Sequence, residues 1–197
     1  MANIINFGGK KIFHDHLVFI ELVDKRNIKI GVSESWIKIE EKCDSAIEAI
    51  IRFEGLIKKI KEEKDFSLCR LTDHCFIVAD RISFFVLNGI DDNHPEFLLE
   101  IYFISGDKVS LPFNNSDTMI SRMEVLLIEA EIRLPIACSG IVIDSSCIID
   151  YEIFEKDGRE EFELELLGGI KIDSSFCADL EELNDFYAQL KYLFCAK

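Results

Sequence analysis

The chain has 197 residues, of which 49% are apolar, and its formal net charge is −15 at pH 7. A chain of this length and apolar content can bury a core without disulfides or a metal. No apolar run approaches the roughly 20 residues that span a bilayer, and the N-terminus lacks the basic-then-apolar order of a signal peptide. The sequence therefore predicts a cytoplasmic globular protein.

The cysteines are seven in number, scattered, and never at the spacing of a CxxC motif. An odd and scattered set of this kind, with apolar neighbours, is typical of reduced thiols that pack as small hydrophobic side chains. They are Cys43, Cys69, Cys75, Cys138, Cys147, Cys177 and Cys195. We expect all seven to be free.

The first 62 residues predict short strands followed by one helix. Strands are expected at Leu17 to Val23 and at Ile28 to Val32, with a third near Trp36 to Ile39. Ser45 and Glu48 match a capping box, which predicts a helix over residues 44–62. Its apolar stripe is predicted to be Ala46, Ile50, Phe53, Ile57 and Ile60.

The middle of the chain repeats this order. Cys75 to Val78 and Ile82 to Leu87 predict either one long bent strand or two short strands. Phe97 to Ile104 is apolar on both faces, as in a central strand. A helix is expected over residues 117–133, capped by Asn115 or Ser116 and stopped by Pro135. Its stripe is predicted to be Ile120, Met123, Leu127, Ala130 and Leu134.

The clearest local signal is a hairpin near the C-terminal end. Acidic and apolar residues alternate on both sides of Asp157-Gly158, a dipeptide that favours a two-residue type I′ turn. The pairs expected from that turn are Ile153 with Phe162, Tyr151 with Leu164, Ile149 with Leu166, Glu152 with Glu163, and Asp150 with Glu165. One face of the hairpin is then apolar and the other is acidic.

A short strand over residues 170–172 and a helix over residues 177–194 complete this part. The stripe of that helix is predicted to be Leu180, Leu183, Tyr187, Leu190 and Phe194. Runs of strands punctuated by single helices predict an α+β fold, with short antiparallel strands and about three helices on one side. A strand-strand-strand-helix repeat of about 60 residues, in which residues 96–101 align with 161–166, stands beside the alternative of chance similarity.

Charge divides the chain unevenly. Residues 1–72 carry 13 basic and 12 acidic side chains, whereas residues 73–197 carry 9 and 25. We therefore predict a near-neutral N-terminal unit, 1–72, and an acidic pair of units, 73–197, packed with it as one globular body. The acidic field would repel nucleic acid and anionic membranes and would speed association with a basic protein.

The acidic side of the hairpin is the candidate protein-binding site. Like charges directly across a sheet destabilise it by a few tenths to about 1 kcal/mol per pair, and a basic partner would relieve that cost. The predicted site consists of Asp150, Glu152, Glu160, Glu161, Glu163 and Glu165. The alternative is that these carboxylates only keep the protein soluble.

Residues for catalysis or metal binding form no complete pattern. His14 and His16 could share one face of a strand, and His74 and Cys75 lie near Cys69, but neither group supplies four zinc ligands. The glycine pairs lack the lysine and helix start of a phosphate loop. The sequence therefore predicts no cofactor, no metal and no enzyme activity.

Three classes of function remain open. The order of short strands and helices, together with the charge, resembles some bacterial toxin-immunity proteins. That resemblance implies an inhibitor that masks a basic protein. A secretion-type chaperone or adaptor would present an apolar edge or groove as well as acid. An enzyme or metal protein would need a site assembled from scattered residues, such as Cys75 with His94.

Overall fold

The computed structural model describes residues 4–13, 16–32, 38–62, 67–89, 97–138, 140–156, 158–176 and 180–195. Within them the chain forms three helices and fifteen strands, all in antiparallel sheets, so the predicted α+β class is confirmed. The chain divides into two compact units, Met1–Arg81 and Ile82–Lys197.

The elements alternate in a regular order. The first unit contains β1 (Ile4–Phe7), β2 (Lys10–Phe13), β3 (Leu17–Val23), β4 (Asn27–Val32), β5 (Ile39–Lys42), α1 (Ala46–Lys61), β6 (Leu68–Thr72) and β7 (Cys75–Val78). The second contains β8 (Ile82–Asn88), β9 (Phe97–Phe103), β10 (Lys108–Phe113), α2 (Ser116–Glu129), β11 (Pro135–Cys138), β12 (Ile141–Asp144), β13 (Ile148–Lys156), β14 (Arg159–Leu166), β15 (Ile170–Asp173) and α3 (Leu180–Cys195).

This order consists of one structural motif that occurs three times. Each copy is a two-stranded hairpin, then a three-stranded meander, then a helix. The hairpins are β1–β2, β6–β7 and β11–β12, and the meanders are β3–β5, β8–β10 and β13–β15. The second and third meanders each follow a 3₁₀ turn, Ala79–Arg81 and Ser145–Cys147. The structural repeat therefore starts with a hairpin and is longer than the predicted strand-strand-strand-helix unit.

Each complete sheet combines two successive copies of the motif. The first and second meanders are completed by the hairpins that follow their helices, giving the orders β5-β4-β3-β7-β6 and β10-β9-β8-β12-β11. The third meander, β13-β14-β15, stays three-stranded, and the first hairpin stays a separate two-stranded sheet. The second hairpin thus belongs to the sheet of the first unit, across the boundary predicted at residue 72.

Register confirms that the three meanders are equivalent. Each carries an irregularity at the start of its first strand, between Leu17 and Phe19, between Ile82 and Phe84, and between Ile148 and Asp150. A bulge of this kind adds one residue and bends the strand. Its recurrence fixes which residues of the three copies are counterparts.

The core of the first unit lies between α1, its meander and the first hairpin. Ser45 caps α1 through the Glu48 N–H at 3.1 Å, and the Glu48 carboxylate returns to the Asp44 N–H at 2.9 Å. The buried face of α1 is Ala49, Phe53, Leu56, Ile57 and Ile60. Ile50 is 42% exposed, so its predicted place in the buried stripe is wrong.

In the second unit, α2 packs on its own meander and α3 on the third hairpin and third meander. Asn115 caps α2, as predicted, through the Thr118 N–H at 2.9 Å. The buried face of α2 is Met119, Met123 and Leu126. The prediction is right at Met123, whereas Ile120 and Leu127 lie one residue after the buried positions and Leu134 is exposed. In α3 the buried residues are Leu183, Phe186, Tyr187 and Leu190; Phe186 was not predicted.

None of the helices in the described residues is long and apolar enough to cross a membrane. The thiols of Cys43, Cys69, Cys75 and Cys147 are free and buried. Cys138 is disulfide-bonded, so the expectation of seven free thiols is wrong at this position.

Candidate protein-binding face

The hairpin of β13 and β14 has the predicted register along most of its length. Glu152 pairs with Glu163, Asp150 with Glu165, and Tyr151 with Leu164. The predicted partnership of Ile149 with Leu166 is wrong, because the bulge places Ile148 there instead. Gly158 has a φ of +76°, as a type I′ turn requires; Asp157 lies outside the described residues.

The outer face of the third meander is acidic. We define the acidic face as the set of carboxylates that the strand pairing places on that side of β13, β14 and β15. They are Asp150, Glu152, Glu161, Glu163, Glu165 and Asp173. Asp150, Glu152, Glu165 and Asp173 are exposed, and Glu161 and Glu163 are partly exposed.

A basic residue lies within the acidic face. Lys171 of β15 pairs in register with Glu165, and its ammonium donates to Glu163 at 2.5 Å. The bond from Lys171 to Glu163, with the nearby Glu165 and Glu152 carboxylates, raises the pKa of Lys171. The repulsion between Glu152 and Glu163 is therefore partly offset within the sheet, which the sequence did not predict.

Glu160 does not share the register position of the other predicted site residues. It pairs with Glu155 in the register of the hairpin, and its side chain lies outside the described part of the structure. Glu161 lies on the acidic face, where Lys156 approaches its carboxylate at 3.7 Å. Five of the six predicted residues thus share one face.

The same face of the second meander is covered. Phe84 is buried and stacks on Tyr102 with ring centroids 4.4 Å apart. Both belong to the cluster that contains the third hairpin and the buried side of α3. At the counterpart positions of the third meander the residues are Asp150 and Glu165, which are exposed. The third meander therefore has exposed carboxylates at the positions where the second meander has packed aromatic rings.

The first strand of the third meander has an open edge. Within the described residues β13 pairs with β14 alone, whereas β3 and β8 pair on both sides. The Tyr151 N–H donates to the carboxylate of its own neighbour, Asp150, at 2.9 Å. Ile149 is 54% exposed and Phe154 is 36% exposed, so apolar side chains flank the acidic residues on this strand.

The first unit contains a separate apolar groove of about 630 Å³. It lies between the C-terminal half of α1 and the turn of the second hairpin. Leu22, Phe53 and Phe76 form its apolar lining, and Ile50 lies at its margin. Lys61 lies over the Phe76 ring at 5.1 Å.

Among the described residues, those considered for metal binding or catalysis do not form the arrangement that a metal needs. No group of three or more metal-ligating side chains occurs among the described residues. His14 and His94 lie outside the described residues. Burial raises the pKa of Cys75 to about 12 and, with the nearby Asp144 carboxylate, that of Cys147 to about 11. These thiols are protonated at neutral pH and are poor nucleophiles.

Comparison with protein-family models, with curated proteins and with solved structures gives no match for this chain.

Proposed function

We propose that the protein is an acidic cytoplasmic interaction module, of the inhibitor or immunity type, whose acidic face binds a basic partner protein. The observation that supports this function is the contrast between the acidic face and its counterpart. The same positions in the second meander hold the buried Phe84 and the partly buried Tyr102, whereas the third meander exposes Asp150 and Glu165.

The energetics favour a basic partner. Glu152 and Glu163 are directly opposite each other, and Lys171 offsets only part of their repulsion. Additional cations would offset the rest and would lose little hydration, because the carboxylates are at the surface. Association driven by such a field is fast and weakens as salt is added.

A capture experiment with three proteins tests the proposal. The wild type, the face variant E152K/E163K and the control E40K/E124K are immobilised, and the proteins they retain from the host lysate are compared. Both variants change the net charge equally, and Glu40 and Glu124 are exposed residues outside the acidic face. We expect a basic protein that the wild type and the control retain and the face variant loses. Equal retention by all three would contradict the proposal.

The groove supports a second candidate function, a secretion-type chaperone or adaptor. An apolar groove between a helix and a sheet can accept one face of an amphipathic helix. Ile47 and Ile51, 72% and 66% exposed, extend the apolar surface of α1 near it. Adding the variant I50E to the capture experiment separates the two functions, because only an adaptor's partner depends on Ile50.

A further inference from the structure

Two elements of this chain lack the partner that their counterparts have. The second and third hairpins each pair, through β7 and β12, with the first strand of a meander. The first hairpin makes no such pairing, and the third meander receives no hairpin, within the described residues. The first hairpin therefore lacks a meander to pair with, and the third meander lacks a hairpin, so each could supply the partner that the other lacks.

The first hairpin is held in the manner of the third. Arg52 of α1 donates to the Asn6 carbonyl at 3.0 Å, and Gln189 of α3 contacts both backbone groups of Ala137 at 3.4 and 3.5 Å. Asn6 and Ala137 are counterparts, because each stands in the third position of its hairpin's first strand. Arg52 thus holds β1, and β2 pairs with β1 in register, so the strand that corresponds to β7 and β12 is in place before any partner binds.

The two pairings inside the chain give the register of a third. Cys75 pairs with Glu21, and Ile141 pairs with Val86. Cys75 and Ile141 are the first residues of β7 and β12, and their counterpart in β2 is Lys10. The counterpart of Glu21 and Val86 is Glu152, because each lies four residues after the first residue of its bulge, Leu17, Ile82 or Ile148. This register places Lys10 opposite Glu152.

The chemistry of the two surfaces is complementary. Lys10 and Lys11 are both exposed on β2, and Lys10 would join the row of Glu152 and Glu163 and offset their repulsion. Phe13, 47% exposed, would lie opposite Ile149, three residues further along the same register. In the first unit the residues of these two positions, Val78 and Val18, are buried.

We infer that β2 of one copy pairs antiparallel with β13 of a second copy and completes its third sheet as a five-stranded sheet. The surfaces that meet are different ones, so after pairing one copy still has its β13 edge free and the other still has its β2 free. Such a heterologous contact extends head to tail, into rings or open chains, and does not stop at a symmetric dimer. The pairing of hairpin with meander that repeats within each molecule thus continues from one molecule to the next.

A charge swap tests the pairing. Sedimentation of the wild type over a wide concentration range at low salt should show oligomers that grow with concentration. K10E and E152K should each raise the dissociation constant on the order of tenfold or more, because each places like charges opposite one another. The double variant K10E/E152K, and an equal mixture of the two single variants, should recover association. The control K25E, in the turn between β3 and β4, should behave as the wild type.

A cross-linking experiment tests the register independently of charge. Side chains directly opposite each other in an antiparallel pair lie close enough for a disulfide. K10C/E152C should form reducible intermolecular ladders on mild oxidation, and K25C/E152C should not. A wild type that is monomeric at every concentration, or equal ladders from both variants, would overturn the inference.

This inference goes beyond the proposed function, because it concerns the edge of β13 and a second copy of the chain. The variant K10E separates the two. It removes the self-association and leaves every carboxylate of the acidic face in place, so its capture of a basic partner should equal that of the wild type. Either result can therefore fail alone.

Discussion

The first and third meanders have the same strand order, the same bulge and the same pairing, and they differ in what their outer faces carry. In the first, Phe19 lies against Gly31, and Glu21 pairs with Lys29. In the third, the counterparts are Asp150 with Glu165 and Glu152 with Glu163. The same backbone arrangement thus carries a packed face with opposite charges in the first meander and an exposed face with like charges in the third. The residues on the outer face therefore determine whether that face is covered or accessible.

The inner faces should be energetically alike if the two meanders are equivalent. Ile30 and Leu164 are fully buried counterparts in their central strands. Replacing either by Ala should lower the free energy of unfolding by about 2–5 kcal/mol, measured by urea denaturation. I50A, on the exposed side of α1, should cost less than about 1 kcal/mol. Very different losses at Ile30 and Leu164 would break the equivalence.

The outer faces should respond differently to the same side chain. A Cβ at Gly31 would lie 2.2 Å from the Phe19 ring, so G31A should cost about 1–3 kcal/mol through overpacking. At the counterpart position E165A should change stability by less than about 0.5 kcal/mol, because Glu165 is exposed. Thermal unfolding of the two variants measures both values, and a neutral G31A would show that the ring moves aside.

Acid should weaken the second meander, where one carboxylate is partly buried. Burial opposes the ionisation of Glu100, but bonds from Lys108, Asn88 and Tyr102 outweigh it and hold the pKa of Glu100 below its usual value. Because its pKa is lower in the folded state, ionised Glu100 stabilises the protein at pH values above its unfolded-state pKa. This stabilisation is lost as the pH falls through the folded-state pKa. E100Q should remove about 1 kcal/mol of this dependence, measured as unfolding free energy against pH.

The smallest expected effects are those of charge reversal, and they should have opposite signs in the two meanders. E21K places a second cation opposite Lys29 and should destabilise the protein by about 0.2–1 kcal/mol. E152K places a cation opposite Glu163 and should stabilise it by a similar amount, at a concentration low enough to avoid association. Unfolding in denaturant measures both, and equal signs would show that the outer faces do not differ electrostatically.

Local pattern predicted much of the fold. Strand periodicity and capping residues indicated the strands of the meanders and the starts of α1 and α2, because these signals depend on neighbours in the sequence. The repeat alignment placed Ile101 with Leu166, whereas the register makes Leu164 its counterpart. A shift of two residues keeps every side chain on its face, so hydrophobic alternation could not detect it.

Other features depend on distant parts of the chain and left no local signal. The pairing of β7 with β3 joins residues on opposite sides of α1. Apolar residues cover several faces of α1, so periodicity alone could not choose Ala49 over Ile50 as a buried position. On the acidic face, the turn set the pairing of Glu152 with Glu163, but Lys171 comes from a third strand whose register the sequence did not fix.

Each five-stranded sheet is divided between two copies of the motif. This division constrains where the chain can be truncated or extended. The repeated motif begins at a hairpin, whereas the segment that completes the first five-stranded sheet ends after one, at the 3₁₀ turn Ala79–Arg81. A truncation at the repeat boundary after α1 would leave β3 with an uncovered edge, and one at residue 81 would keep that sheet whole. The motif that repeats and the sheet that closes are therefore offset by one hairpin.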